Sequence, residues 1–231
     1  AATPTNGIVL MSSEEQEKVC NTWKTYQCGD HRVVKFVPAS GAASRMFKDL
    51  FAFLNGVNQE PANDFEREFF DNIHDFAFFN ELNQKCEQNE GKSVDEIMKD
   101  GDYKLIVDTI LNIRGLNYGQ LPKGLLSFHK YDDGVRTPIE EHLVEAALYA
   151  ASNKQAYVHF TISHEHLELF KQKVTEKIAQ YEAKYDVKLN VSYSEQKPST
   201  DTIAVNPDNS PFRNDDGSLL FRPGGHGALI E

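Results

Sequence analysis

The sequence lacks the features that mark membrane-spanning, secreted and nucleic-acid-binding proteins. No apolar run approaches the ~20 residues that cross a bilayer, and the first residues have neither the charged nor the apolar stretch of a secretory signal. Lys and Arg total 24 against 35 Asp and Glu, a formal net charge of −11, whereas a surface for nucleic acid has to be basic. We therefore expect neither a membrane nor a nucleic acid as a partner.

The chain is also poor in cysteine. Its 3 cysteines, Cys20, Cys28 and Cys86, are odd in number and fit no zinc-ligand spacing. They predict neither a disulfide framework nor a zinc site. Scattered thiols of this kind are typical of the reducing cytoplasm, so we expect a cytoplasmic protein in which the thiols serve packing.

Three familiar loop motifs are missing as well. There is no GxxxxGK[ST] phosphate-binding loop and no GxGxxG dinucleotide loop. Ser40 lies in the segment PASGA, which lacks the first glycine of GxSxG, and no His–acid pair is identifiable with it. A nucleophilic serine is therefore not predicted at this position.

What the sequence does contain is a strand, a small-residue loop and a helix start at residues 33–50, VVKFVPASGAASRMFKDL. The β-branched opening predicts a buried strand that Pro38 ends. Five of the next six residues are Ala or Ser around Gly41, and small side chains let backbone amides approach a ligand. From Arg45 the apolar spacing predicts a helix. Free amides, a positive helix end and the cations Arg45 and Lys48 suit a phosphate, and packing alone explains such a loop equally well.

The rest of the chain predicts an α/β fold with a largely parallel, mixed sheet flanked by helices. Strands are predicted at residues 125–128, 156–163 and 189–193, and helices at 12–26, 138–151 and 164–184. Helices between strands imply crossover connections, with ligands beyond the carboxyl ends of the strands. Phe residues at helical spacing predict a helical insertion at about 55–120. The predicted organisation is an N-terminal helical segment, 1–32, and an α/β domain, 33–231, that carries the insertion.

Five segments carry a likeness to known proteins. They read SGAASRM at 40–46, PKG at 122–124, FTIS at 160–163, SEQ at 194–196 and DGSLLFRPGGHGAL at 216–229. In this order they resemble the phosphate loop, the Pro-Lys-Gly, the Met-Thr-Ser, the Phe-x-Gln and the Pro-Gly-His-Gly segments of eukaryotic-type UDP-sugar pyrophosphorylases. The chain also looks like a bacterial domain-of-unknown-function family that shares the PASGAASRMFK, TDTIAV and GHGAL segments. The resemblance implies the Rossmann-like fold of nucleotide-diphospho-sugar transferases.

The same resemblance implies a nucleotidyltransferase that joins a nucleoside triphosphate, by resemblance UTP, to a sugar 1-phosphate with release of pyrophosphate. Arg45 would stabilise the triphosphate, and Lys123 would neutralise the α-phosphate or the acceptor phosphate. The residues implied to contact the nucleotide are Ser40, Gly41, Ala42, Ser44, Gln196, Gly225 and His226. The alternative is a module that binds a nucleotide or sugar nucleotide without catalysis, because the first loop has one glycine where the enzymes have two or three.

The resemblance also implies a Mg²⁺ ion held by an aspartate downstream of the base-binding loop. The sequence ends at Glu231 without such a residue. We therefore expect this chain to be incomplete at its C-terminus and inactive alone, with the Mg²⁺ ligand outside it and Asp201 the remaining candidate inside it. His164 and His166 lie two residues apart at a predicted helix start, which points them away from each other, so they predict no metal site.

Overall fold

The helices of the chain precede and separate the strands of a small parallel sheet. The computed structural model describes residues 2–4, 6–29, 31–43, 45–222 and 224. The helices are α1 (Ser13–Gln27), α2 (Lys48–Asn55), α3 (Asp64–Asp71), α4 (Phe79–Glu90), α5 (Val94–Lys99), α6 (Tyr103–Leu111), α7 (Pro138–Tyr149) and α8 (Leu167–Tyr185). The strands are β1 (Thr3–Pro4), β2 (Gly7–Ile8), β3 (Val34–Pro38), β4 (His129–Tyr131), β5 (Gly134–Arg136), β6 (Gln155–Ile162), β7 (Lys188–Glu195), β8 (Thr202–Ile203) and β9 (Phe221–Arg222).

Strands β3, β6 and β7 form the parallel sheet, in that order. Every second residue of β6 is buried, and Ala156, Val158, Phe160 and Ile162 pack in one core with residues of α7 and α8. This alternation places helices on one face of the sheet. The chain is therefore a mixed α/β protein with several small sheets, as the sequence predicts at this level.

The finer prediction, a Rossmann-like transferase sheet, is not established by these strands. In the described residues the three parallel strands are ordered as they are in the chain. The order therefore does not reverse, and such a reversal is what creates the ligand crevice in doubly wound sheets. The remaining strands pair two by two, as β1–β2, β4–β5 and β8–β9. None of the described helices has the length and apolar character that a membrane span needs.

Helices α2 to α6, which lie between β3 and α7 in the sequence, build a second core. Ile73, Leu82 and Ile106 are fully buried there, and the rings of Phe69 and Phe70 meet edge to face with centroids 5.2 Å apart. The Phe residues that recur at helical spacing in this region therefore pack mainly in the core, as that spacing predicts. The bounds that we assign to an insertion stay a prediction.

Capping boxes fix where several helices begin. In α1 the N–H of Ser12 donates to the Glu15 carboxylate at 2.8 Å, and the Glu15 N–H donates back to Ser12 Oγ. The same reciprocal bonds begin α7, where Thr137 pairs with Glu140 and Pro138 occupies the first helical position. These bonds satisfy amides that the helix itself leaves free. The helix starts that the sequence predicts at these two places are confirmed.

Three local predictions are wrong. The strand expected at 125–128 is absent from the described structure, because Lys123–Leu125 forms a short 3₁₀ helix and Leu126 is buried in the helical core. The helix expected from Arg45 begins only at Lys48. Of the cysteines expected to serve packing, Cys86 is buried, but Cys20 and Cys28 are exposed.

The segment from β8 to β9, residues 202–222, folds back on itself through two matching turns. In each turn an Asp carboxylate accepts from the backbone N–H and the hydroxyl of a Ser, and an Asn side chain donates to that hydroxyl at 3.0 Å. The residues concerned are Asn206, Asp208 and Ser210 in the first turn and Asn214, Asp216 and Ser218 in the second. Asn209 and Gly217 supply the positive φ, 65° and 83°. The turns bring β9 into antiparallel register with β8.

Candidate functional site

A cleft of about 730 Å³ lies beyond the carboxyl ends of all three strands of the parallel sheet. Its walls come from the residues that follow β3, β6 and β7, from the Pro-Lys-Gly segment and from β9. The predicted site residues that line it are Ser40, Gly41, Ala42, Arg45, Lys123, Gln196 and Asp201. This is the edge at which a parallel sheet is expected to bind ligands.

The loop after β3 offers backbone amides to the cleft. The N–H of Ala39 continues the β-ladder by donating to the Thr161 carbonyl at 2.8 Å. Further along the loop, the amides of Gly41 and Ala42 donate to no acceptor within the described part of the chain, and both residues are exposed. These two N–H groups can therefore donate to a ligand.

Gly41 is not needed for an unusual backbone conformation. Its φ is not positive, and a Cβ built on it meets no atom within 4 Å. Positive φ is also absent from the other loop residues that the structure describes, 39–40, 42–43 and 45–47. Alanine in these described residues is therefore not strained, and Gly41 has open space where a Cβ would lie.

Lys123 is brought to this loop by backbone pairing. Its N–H donates to the Gly41 carbonyl at 3.1 Å, and Ala42 pairs with Pro122 in an antiparallel bridge. Pro122 is buried, and Gly124 lies so close to Phe170 that a Cβ would be 2.8 Å from the ring. These contacts fix the backbone of the Pro-Lys-Gly segment at both ends. The exposed Lys123 lines the cleft.

Gln196 connects the end of β7 to the same loop. Its side-chain oxygen accepts from the Ser40 hydroxyl, and its backbone N–H donates to the Ile162 carbonyl at 2.9 Å. Its Nε2 is buried without a hydrogen-bond partner among the described residues. Because an unpartnered buried donor is costly, a ligand oxygen at this point would stabilise the site.

The end of β6 contributes lining residues that the sequence did not nominate, Ser163, His164 and Glu165. The Ser163 hydroxyl lies 2.7 Å from Nδ1 of His166, whereas Nδ1 of His164 lies 2.9 Å from the Glu195 carboxylate. The two histidines therefore contact different partners, His166 the Ser163 hydroxyl and His164 the Glu195 carboxylate. The FTIS segment could have drawn attention to Ser163, because it marks the end of the central strand.

The sequence model of the family described as "Domain of unknown function (DUF4301)" matches residues 1–231. The chain belongs to the DUF4301 family. This confirms the uncharacterised family that the PASGAASRMFK, TDTIAV and GHGAL segments predict. A search of the curated proteins and a search of the solved structures each found no match, so the likeness of this DUF4301 chain to UDP-sugar pyrophosphorylases depends on its motifs alone.

Positive charge collects in the cleft of this otherwise acidic DUF4301 chain. Its cations are Arg45, Lys123 and Arg222, against the carboxylates of Glu165 and Asp201. None of the salt bridges among the described residues involves the three cations. They are free to bind an anion that the net charge of −11 would otherwise repel.

The cleft contains two carboxylates of the kind that bind Mg²⁺, those of Glu165 and Asp201. They supply the hard oxygen atoms that Mg²⁺ prefers, and such an ion often takes its other ligands from substrate phosphates and water. Groups of three or more potential metal ligands are absent from the described residues. The DUF4301 cleft therefore fits a Mg²⁺ ion that arrives with a phosphorylated ligand better than a site built from protein side chains alone.

Three of the predicted nucleotide contacts, Ser44, Gly225 and His226, lie outside the described residues. A second depression, of about 870 Å³, lies along α1 and is lined by residues of that helix and by His31. Its walls come from a single helix and one neighbouring residue. The cleft at the strand ends is the candidate site of the DUF4301 chain because several separate segments converge on it.

Proposed function

We propose that this cleft binds a nucleoside triphosphate and a sugar 1-phosphate, and that the protein joins them with release of pyrophosphate. The observation that carries the proposal is the backbone pairing of the first loop with the Pro-Lys-Gly segment, in which the Lys123 N–H donates to the Gly41 carbonyl at 3.1 Å. This pairing gathers the N–H groups of Gly41 and Ala42 and the cations Arg45 and Lys123 around one cleft. Amides and cations together form the donor set that phosphate groups prefer.

The proposed reaction is an in-line displacement at the α-phosphorus. A phosphate oxygen of the sugar 1-phosphate forms a bond to the α-phosphorus while the bond from that atom to the oxygen of the β-phosphate breaks. The departing pyrophosphate keeps the electron pair. The attacking oxygen is already anionic, so the step needs no general base, and the protein acts by positioning two anions and neutralising their charge.

Each residue then has a defined role. Arg45 stabilises the charge that develops on the leaving pyrophosphate, and Lys123 neutralises the α-phosphate or the acceptor phosphate. The amides of Gly41 and Ala42 donate to phosphate oxygens, and Nε2 of Gln196 donates to the nucleotide.

Mg²⁺, when bound, would supply positive charge that neutralises the phosphates. Asp201 and Glu165 are the described carboxylates that would hold it. By resemblance, Gly225 and His226 contact the base and UTP is the preferred triphosphate.

A second proposal is a module that binds a nucleotide without catalysis. The single glycine of the first loop favours it, because the enzymes that the chain resembles have two or three. The loop conformation weighs against it, because the described residues of the loop adopt no positive φ and so need no further glycine.

An assay for pyrophosphate release by the full-length protein tests the proposal. It uses Mg²⁺, the four common nucleoside triphosphates and a panel of sugar 1-phosphates. We expect release that requires both substrates and is fastest with UTP. Nucleotide binding without release would favour the second proposal, and the absence of both binding and release would contradict the two together.

A further inference from the structure

We infer that Arg222 is a third phosphate-binding cation of the cleft, which binds the same ligand as Arg45 and Lys123. The phosphate chemistry of this ligand rests on the proposed function. Arg222 itself is assigned by the structure, because its side chain lines the same cleft as Arg45 and Lys123.

The position of Arg222 is set by strand pairing. In the β8–β9 pair Arg222 lies opposite Thr202, the residue that directly follows Asp201. The segment of residues 202–222 therefore leaves the cleft at Asp201 and returns to it at Arg222. Both side chains line the cleft, so the base of this segment forms one of its walls.

The backbone that carries Arg222 is held by bonds within its own segment. The N–H of Ala204 donates to the Leu220 carbonyl at 2.9 Å, that of Leu220 to the Phe212 carbonyl at 3.2 Å, and that of Phe212 to the Ala204 carbonyl at 2.8 Å. Three passes of the chain are thus bonded to one another. This arrangement pre-organises the backbone beside Arg222, so the ordering cost of binding falls mainly on the Arg222 side chain.

The number and origin of the cations indicate the ligand. Arg45, Lys123 and Arg222 come from three separate segments that line one cleft of about 730 Å³. Three cations around one cleft suit a ligand with several negative charges, such as a diphosphate or a triphosphate. Arginine also suits this role because its planar guanidinium binds phosphate oxygens in pairs.

The chain supplies a matched control in Arg213. This arginine belongs to the same segment, but it donates to the Gly217 carbonyl at 2.7 Å and does not line the cleft. Arg213→Ala therefore removes the same charge from the same segment without touching the proposed site.

Titration calorimetry of the chain with inorganic tripolyphosphate and with UTP tests the inference. We expect Arg222→Ala to weaken the affinity for both ligands by about tenfold or more, the scale of one hydrogen bond to a charged group. We expect Arg222→Lys to lose less and Arg213→Ala to bind like the wild type. Thermal unfolding checks that each variant folds, and Arg222→Gln replaces Arg222→Ala if the latter does not.

The outcomes separate the inference from the proposed function. If the wild type binds UTP and the Arg222 variants bind it equally well, the inference is wrong and the function stands. If the Arg222 variants lose tripolyphosphate but the wild type binds UTP no better than tripolyphosphate, the inference stands and the nucleotide function loses its support. If the wild type binds neither ligand, both are overturned.

Discussion

Among single residues, Arg45 and Lys123 bear most directly on the proposed chemistry. Both side chains are exposed and neither contributes to a core, so each can be removed without opening a cavity. We expect Arg45→Ala and Lys123→Ala to lower turnover of the full-length enzyme by about 10²-fold or more each, the effect of losing one charge-stabilising donor. The measurement is the steady-state rate of pyrophosphate release.

Lys130→Ala is the matched control for these variants, because Lys130 is an exposed lysine on β4 outside the cleft. It should leave both turnover and the free energy of unfolding unchanged. Normal turnover in both Arg45→Ala and Lys123→Ala, or unfolding of both, would count against the site.

Alanine substitutions at Gly41 and at Gly124 should have opposite effects on stability and on ligand binding. Gly41 lines the cleft, and a methyl group on it meets no atom within 4 Å, so Gly41→Ala should keep the free energy of unfolding while weakening UTP binding. A methyl group on Gly124 would lie 2.8 Å from the Phe170 ring, and overpacking of this kind costs about 1–3 kcal/mol. Denaturant unfolding measures the stability of the two variants, and calorimetry measures their UTP binding. A destabilised Gly41→Ala or a fully stable Gly124→Ala would contradict these roles.

At the scale of elements, α7 is attached to β3 by charged as well as apolar side chains. Lys35 on β3 is bonded to the Glu145 carboxylate and to the Tyr149 hydroxyl, both on α7. Nδ1 of His142 lies 3.1 Å from the same carboxylate. Burial lowers the pKa of His142, and although Glu145 opposes the shift, the charge of Lys35 adds to it.

This lowered pKa predicts a pH dependence of stability. Between the lowered folded pKa and the unfolded value of about 6.5, the unfolded chain binds more protons than the folded one. The free energy of unfolding should therefore be greatest above that unfolded value and fall as the pH drops through it. His142→Gln should flatten this part of the profile in denaturant unfolding at a series of pH values. Glu145, whose pKa is lowered first by its bond to Lys35, contributes only at more acidic pH.

His74→Gln is the control for the pH experiment. His74 is half exposed and lies 3.0 Å from Asp95 on the surface, so its replacement removes a histidine without touching the contact between α7 and β3. A profile that His142→Gln does not change would show that another group is responsible.

Some elements can be predicted from the sequence because the information that fixes them is local. The capping box of Thr137 and Glu140 defines the start of α7, and alternation defines β6. The segment after Pro122 cannot be predicted in this way. Its path depends on the Gly41 carbonyl and on the Phe170 ring, which are distant in the chain, so its apolar residues suggest a strand that does not form.

At the scale of the whole molecule, the sequence predicted the location of the cleft better than its full lining. The rule that ligands lie at the carboxyl ends of parallel strands brings the loop after β3 and Gln196 to one cleft. Lys123, which was predicted from the resemblance, lines the same cleft. Arg222 was missed because its proximity depends on the return of the chain from β8 to β9. Its position within the DGSLLFRPGGHGAL segment was the available clue.

The two faces of the parallel sheet should contribute unequally to the stability of the protein. Phe160 is fully buried under the helices, whereas Phe36 on the opposite face is 52% exposed and stacks on His159, and parallel sheets usually have both faces covered. We expect Phe36→Thr to cost under about 1 kcal/mol and Phe160→Ala about 3–5 kcal/mol in denaturant unfolding. Equal losses would show that Phe36 is covered by something that the described residues do not include.

The most direct test of the central claim is a crystal structure of the protein with UTP bound. We predict that the triphosphate lies in the cleft at the strand ends, with phosphate oxygens on the N–H groups of Gly41 and Ala42 and within reach of Arg45 and Lys123. A nucleotide bound elsewhere, or an empty cleft in crystals grown at saturating UTP, would contradict the account.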